Sequence, residues 1–179
     1  MKRLLKLKPY IGSETTLLIS SSASGLEKYL EFQDRIFIHH IRGSRLLRYD
    51  PQQREILQDH IENKRCSQLI FVGSYDQELI RQIQTGDSLD SLTSALSFNL
   101  KPFFGGRHYH SIDPDVKIQM LIELNAINQC KLLMDYFFVK EKMEKNKLHV
   151  RGLVTQMGSD QLKSVFHNGV SYNDILTLN

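Results

Sequence analysis

Three apolar runs too short to be helices, at residues 15–20, 35–41 and 69–72, punctuate the first half of this 179-residue chain, with segments of helical spacing between them. Such runs, bounded by turn residues, suit strands buried on both faces of a sheet. Strands of that kind interleaved with helices specify β-α-β units, because a parallel neighbour is reached only by a crossover that carries the chain back to the starting end of the sheet. The first run, Thr15-Thr16-Leu17-Leu18-Ile19-Ser20, ends in Ser21-Ser22-Ala23-Ser24-Gly25 before a helical pattern over residues 26–32. The second, Arg35-Ile36-Phe37-Ile38-His39-His40-Ile41, closes at Arg42-Gly43. Asp50 before Pro51 then offers an N-cap with proline at the first helical position. Leu57 and Ile61, four residues apart, supply the apolar face of a helix predicted to run to about Lys64.

After the third run the chain breaks at Gly73 into a helical pattern over residues 77–84, with Leu79, Ile80 and Ile83 on one face, and then a capped segment over 87–96. Residues 101–110 are the longest irregular stretch, which ends at Asp113-Pro114. The longest helix follows, with a predicted core stripe of Val116, Met120, Leu121, Leu124, Ile127, Leu132 and Leu133; a shorter helix runs from about Tyr136 to near Asn146. Residues 148–154 and 162–166 read as two strands joined by a turn at Gly158-Ser159-Asp160. The expected fold class is α/β: a mainly parallel sheet of about four strands plus one antiparallel edge strand, flanked by helices. Residues 1–14 read as a short basic N-terminal arm and 15–179 as a single domain.

Composition narrows the function classes. A hydrophobic share of 41% and a charged share of 24% are ordinary for a globular protein, and no apolar run approaches the length of a membrane span. A net charge of +3 falls short of the dense basic stripe of a nucleic-acid binder, so neither nucleic acid nor membrane insertion is an expected partner. The basic start Met1-Lys2-Arg3-Leu4-Leu5-Lys6-Leu7-Lys8 lacks the apolar stretch and cleavage site of a secretory signal. Cys66 and Cys130 are therefore expected as reduced thiols in the cytoplasm.

The segment Gln68-Leu69-Ile70-Phe71-Val72-Gly73-Ser74-Tyr75-Asp76-Gln77 has the build of a strand end that carries chemistry, where open α/β sheets place their sites. Glu123-Leu124-Asn125-Ala126-Ile127-Asn128-Gln129, followed by a short helix and Lys145-Asn146-Lys147-Leu148-His149-Val150-Arg151-Gly152-Leu153-Val154, resembles the Glu-x-Asn-Val helix and Gly-Lys-Leu-x-(Leu/Ile)-His-Gly-Trp strand of the β-class carbonic anhydrases. The resemblance extends from about Leu17 to Phe166. It implies a zinc site built from a Cys-x-Asp-x-Arg motif after the first strand and a His-x-x-Cys pair after the third. This chain has Ser21, Ala23 and Gly25 in the first set of positions, and Ser74 and Gln77 in the second, with Asp76 shared by many members. Zinc lowers the pKa of its bound water from about 15.7 to about 7, and neutral serine and glutamine do not substitute for thiolates and imidazole. The resemblance thus implies a protein without zinc or other cofactor, inactive in carbon dioxide hydration, acting as a structural or binding subunit of a larger assembly or as a homodimer.

Other candidate sites stand beside that reading. His108-Tyr109-His110 with Cys66 or Cys130 is a candidate relocated metal site, which would restore carbonic anhydrase activity. Ser21, Ser22 and Ser24 at a strand-to-helix turn are a candidate anion-binding set for a small-anion sensor, against the simpler role of a helix cap. No Gly-x-Ser-x-Gly elbow positions a catalytic serine. His39-His40 at a strand end reads as structural. Candidate partner contacts are Lys2, Arg3, Lys6 and Lys8 of the basic arm and Phe103-Phe104 of the irregular stretch.

Overall fold

The computed structural model describes residues 4–21, 34–41, 46, 50–75, 113–155 and 161–171. The expected helices at 26–32, 77–84 and 87–96, the irregular stretch at 101–110 and the turn at 158–160 lie outside the described residues.

The apolar runs form strands β1 (Thr16–Ser21), β2 (Ile36–Ile41) and β3 (Gln68–Gly73), joined by β4 (His149–Thr155), β5 (Leu162–His167) and β6 (Val170–Ser171). Their order in the sheet is β2-β1-β3-β4-β5-β6. The first four are mutually parallel, and β5 runs antiparallel to β4. The parallel core of four strands matches the sequence expectation. The outer edge differs: it is the two-residue β6, not β5. Asn168 and Gly169, at φ 48° and 94°, make the two-residue left-handed turn that a tight hairpin requires. β1 and β3, at the centre, are buried along their whole length, which explains why Leu17–Ile19 and Leu69–Val72 are continuous apolar runs instead of alternating.

Helices cover both faces. Helix α1 (Leu4–Ile11) arises where the sequence suggests a free basic arm. Its Leu7 and Ile11 are buried against Leu18, Ile70, Val72 and Leu153, so burial of apolar area, not charge, decides where this segment goes. Gln68 secures the end of α1 by donating from Nε2 to the Tyr10 carbonyl at 2.8 Å, while its Oε1 accepts from the Thr16 hydroxyl at 3.1 Å.

On the opposite face lie α2 (Pro51–Glu62), α3 (Pro114–Asp135) and α4 (Phe137–Glu144). Asp50 caps α2 as expected: its Oδ1 accepts from the backbone N–H groups of Gln52 and Gln53, and Leu57 and Ile61 are buried below. Asp113 caps α3 in the same way, accepting from Asp115 N at 2.8 Å. Leu121, Ile127 and Leu133 of the predicted α3 stripe are buried, but Val116 is 50% exposed.

The reason lies in how α3 meets the sheet. A Cβ on Gly73 would sit 3.2 Å from Ala126 Cβ and 3.4 Å from Ile122 Cγ2, and one on Gly152 would sit 3.0 Å from Cys130 Sγ. The seam is therefore Ile122, Ala126 and Cys130, three residues at i, i+4 and i+8 laid over two glycines of β3 and β4. Small groups on both sides let the helix approach closely. That seam begins after the first helical turn, which leaves Val116 outside it.

Candidate functional site

The C-terminal ends of β1 and β3, neighbours in the parallel sheet, bring together residues far apart in sequence. Ser20 pairs in register with Val72, so Ser21 and Gly73 lie one step further along the two strands and Ser74 just past the end of β3. Ser21 is 1% exposed and Ser74 6% exposed. Two of the sequence-predicted positions thus meet at one end of the sheet. The hydroxyls of Ser20 and Ser74 are both buried and without a hydrogen-bond partner among the described residues, and an unsatisfied buried hydroxyl is costly enough to call for a polar neighbour. Ser22, Ala23, Ser24, Gly25, Asp76 and Gln77 lie outside the described residues.

Chemically, this end offers hydroxyls. Neither Ser21 nor Ser74 supplies the thiolate or imidazole that zinc requires, so these two positions do not fit the metal. Among the described residues, no three His, Cys, Asp or Glu side chains are grouped closely enough to hold a metal ion.

Helix α3 packs beside these strands through Glu123, Asn125 and Gln129, residues that the sequence singles out for the resemblance but to which it assigns no contact. Glu123 is buried, and both of its carboxylate oxygens lie 3.3 Å from the Lys163 ammonium of β5. Gln119 also donates to Glu123 from Nε2 at 3.3 Å. Six residues on, Gln129 is buried with Oε1 accepting from the backbone N–H of Leu46 at 2.7 Å, and it donates from Nε2 to Asn125 Oδ1 at 3.0 Å. Asn125 and Gln129 therefore hold Leu46, between β2 and α2, against α3. A row of polar residues inside an apolar helix is the available sequence signal, but the partners at Leu46 and Lys163 are not legible without the fold.

The other candidates are dispersed. Cys66 and Cys130 are free, buried in the core between the sheet and α2 and α3. Burial pushes the Cys66 thiol up to about 11, despite the opposing pull of Lys64, and drives Cys130 still further up. Both therefore stay thiols near neutrality, poorly suited to metal ligation or nucleophilic attack. His39 lies on β2 with its Nε2 buried and unpartnered among the described residues; burial holds its pKa down, and repulsion from His60 and His40 adds to that against the pull of Asp50. His60 keeps its own role: Nδ1 lies 2.8 Å from the Ile56 carbonyl and so carries the proton, and its ring packs edge-on against Phe37. His108, His110, Phe103, Phe104, Lys2 and Arg3 lie outside the described residues, and Lys6 and Lys8 are placed only as backbone positions of α1. Among the described residues, no helix is long and apolar enough to cross a membrane.

No family model matches the chain, and no curated protein matches it. Solved structures do. The β-carbonic anhydrase CafD of Aspergillus fumigatus superposes with a TM-score of 0.65 at 21% identity, over 87% of this chain and 91% of that one. A tetrameric β-carbonic anhydrase of Sordaria macrospora gives 0.66 at 14% identity, over 88% and 83%. The Coccomyxa β-carbonic anhydrase, solved with acetazolamide, gives 0.60 at 15% identity, over 92% and 78%. At these identities the likeness is one of fold: this chain has the α/β architecture of the β-carbonic anhydrases.

Proposed function

We propose that this protein is a β-carbonic anhydrase-like pseudoenzyme, without zinc and without carbon dioxide hydration, that works as a structural or binding subunit of a protein assembly. The observation that carries this reading is the pair Ser21 and Ser74, buried hydroxyls at the ends of adjacent parallel strands, at positions that match a cysteine and a histidine of the family's zinc motifs. A zinc-bound water reaches a pKa of about 7 only through the metal's charge, and a serine pair leaves water near its bulk value of about 15.7. The substitutions at Ala23, Gly25 and Gln77 extend the same loss to every motif position. Free, buried Cys66 and Cys130 are in keeping with a reducing compartment such as the cytoplasm. The tetrameric Sordaria relatives make a homo-oligomer the first assembly to seek.

Metal analysis of the purified protein after exposure to zinc is the direct test. The expected result is zinc far below one per chain, with carbon dioxide hydration by stopped flow indistinguishable from buffer. About one tightly held zinc per chain, or hydration above background, overturns the reading. The combined variant Ser21→Cys, Ser74→His, Gln77→Cys, Ala23→Asp and Gly25→Arg is expected to bind zinc, because the scaffold at the strand ends remains.

A further inference from the structure

We propose that His149, Arg151 and His167, gathered on the α1 face of the sheet, form a binding site for a small tetrahedral oxyanion of the phosphate or sulfate class. The placement follows from strand alternation. Val150 and Val154 of β4 enter the core shared with α3, whereas Leu153 packs beneath Leu7 and Ile11 of α1, which puts His149 and Arg151 on the α1 side. The antiparallel register sets His167 of β5 directly beside Arg151. The two imidazole rings lie 6.3 Å apart at 43°, and the Arg151 guanidinium lies 5.6 Å from the centre of the Tyr10 ring. The parallel register sets His149 beside Gln68 and Arg151 beside Ile70, in the first half of β3, whereas Ser74 follows its last residue and Ser21 ends β1, so this cluster is separate from the strand-end serines.

Each member points to an anion. Arg151 Nε is buried without a hydrogen-bond partner among the described residues, and no carboxylate there is paired with the guanidinium. A guanidinium lacking an acceptor is the best preformed partner for an oxyanion. His149 is preset as a donor. Asn168 Oδ1 accepts from Val150 N at 2.8 Å, which turns the Asn168 amide NH2 toward His149 Nδ1 at 2.9 Å. Nδ1 must then accept, so neutral His149 carries its proton on Nε2. Among the described residues, the charged and titratable groups facing His167 from the neighbouring elements are Arg151 and His149 of β4, with Tyr10 of α1 beyond Arg151, while β6 contributes Val170 and Ser171. Burial first, then repulsion from Arg151 and His149, holds His167 below its ordinary pKa. A bound anion reverses that repulsion, whereas a divalent cation would compound it beside Arg151.

Sulfate is the probe, because its charge is constant across the range in which histidine titrates. The full chain is titrated with sulfate at constant ionic strength while the histidine Cε1–H and arginine Nε–H signals are followed by NMR at about pH 6 and about pH 8. Saturable shifts of Arg151, His149 and His167, tighter at the lower pH, are expected, with phosphate competing for the same site. Arg151→Gln should weaken binding by about tenfold or more, in line with loss of a charge-assisted hydrogen bond. His167→Gln should retain binding at the higher pH and abolish the pH dependence, which decides the matter if Arg151→Gln does not fold. Shifts that never saturate, saturation unchanged in Arg151→Gln, or a pH dependence that persists in His167→Gln overturns the site. So does saturable nickel binding at His149 and His167 without sulfate binding.

Discussion

His39 shows how one residue couples burial to pH. Its folded pKa is lowered, first by burial and then by the neighbouring His60 and His40. As pH falls below the unfolded value of about 6.5, the unfolded chain binds a proton that the folded chain resists, so stability is full above that value and declines as pH falls toward the folded pKa. Urea unfolding between pH 8 and pH 5 should show this decline, with His39→Gln flattening it; an unchanged slope in the variant would assign the decline to other groups. The sequence marks His39-His40 as the end of a strand, but not His60 as its neighbour, since that proximity exists only once α2 packs beside β2. Asp50 and Asp113 are the opposite case. A carboxylate before a proline caps the helix that starts there, and every partner it needs lies within three residues.

Among elements, α3 carries most of the specification. Its Ile122, Ala126 and Cys130 lie over Gly73 and Gly152, and a Cβ on Gly152 would come within 3.0 Å of both Cys130 Sγ and Phe166 Cβ. Gly152→Ala is expected to destabilise the fold by about 1–3 kcal/mol through overpacking, measured by chemical denaturation. Adding Cys130→Ala should recover part of that loss, and a fully additive double variant would mean that the sulfur is not the obstruction. The apolar stripe read from the sequence places α3 against a core but puts Val116 in it, because periodicity gives a face and not the stretch of helix that crosses the sheet. α1 was hidden for a similar reason. Its lysines dominate the sequence pattern, whereas Leu7 and Ile11, with Tyr10 beside them, pack it on the sheet.

At the scale of the whole molecule, the Glu123–Lys163 pair ties the helical layer to the antiparallel end of the sheet. Glu123 is 7% exposed and Lys163 25%, so solvent screens only one side of the pair. Lys163→Met should cost about 1–3 kcal/mol by leaving a buried carboxylate without its cation, discounted for the exposure of the lysine. The double variant Lys163→Met with Glu123→Leu should restore most of it in thermal unfolding. If both variants are equally destabilised, packing rather than charge is what the pair supplies. This linkage spans 40 positions and the Gln129–Leu46 bond 83, and the His149–Arg151–His167 cluster joins β4 to β5.

The sequence by itself determined the alternating elements, the four-stranded parallel core, the Asp50 cap and the presence of Ser21 and Ser74 where the family's motifs place metal ligands. Each of these depends on a residue and its near neighbours, through periodicity, capping geometry or motif spacing. Tertiary structure alone decided that α1 is a packed helix and that β6 closes the sheet edge. It also decided that the two serines lie at adjacent strand ends and that an arginine and two histidines meet on the α1 face, away from those ends. Such encounters are set by strand order, register and the face that each side chain takes, quantities that arise only when distant segments bury their apolar surface together.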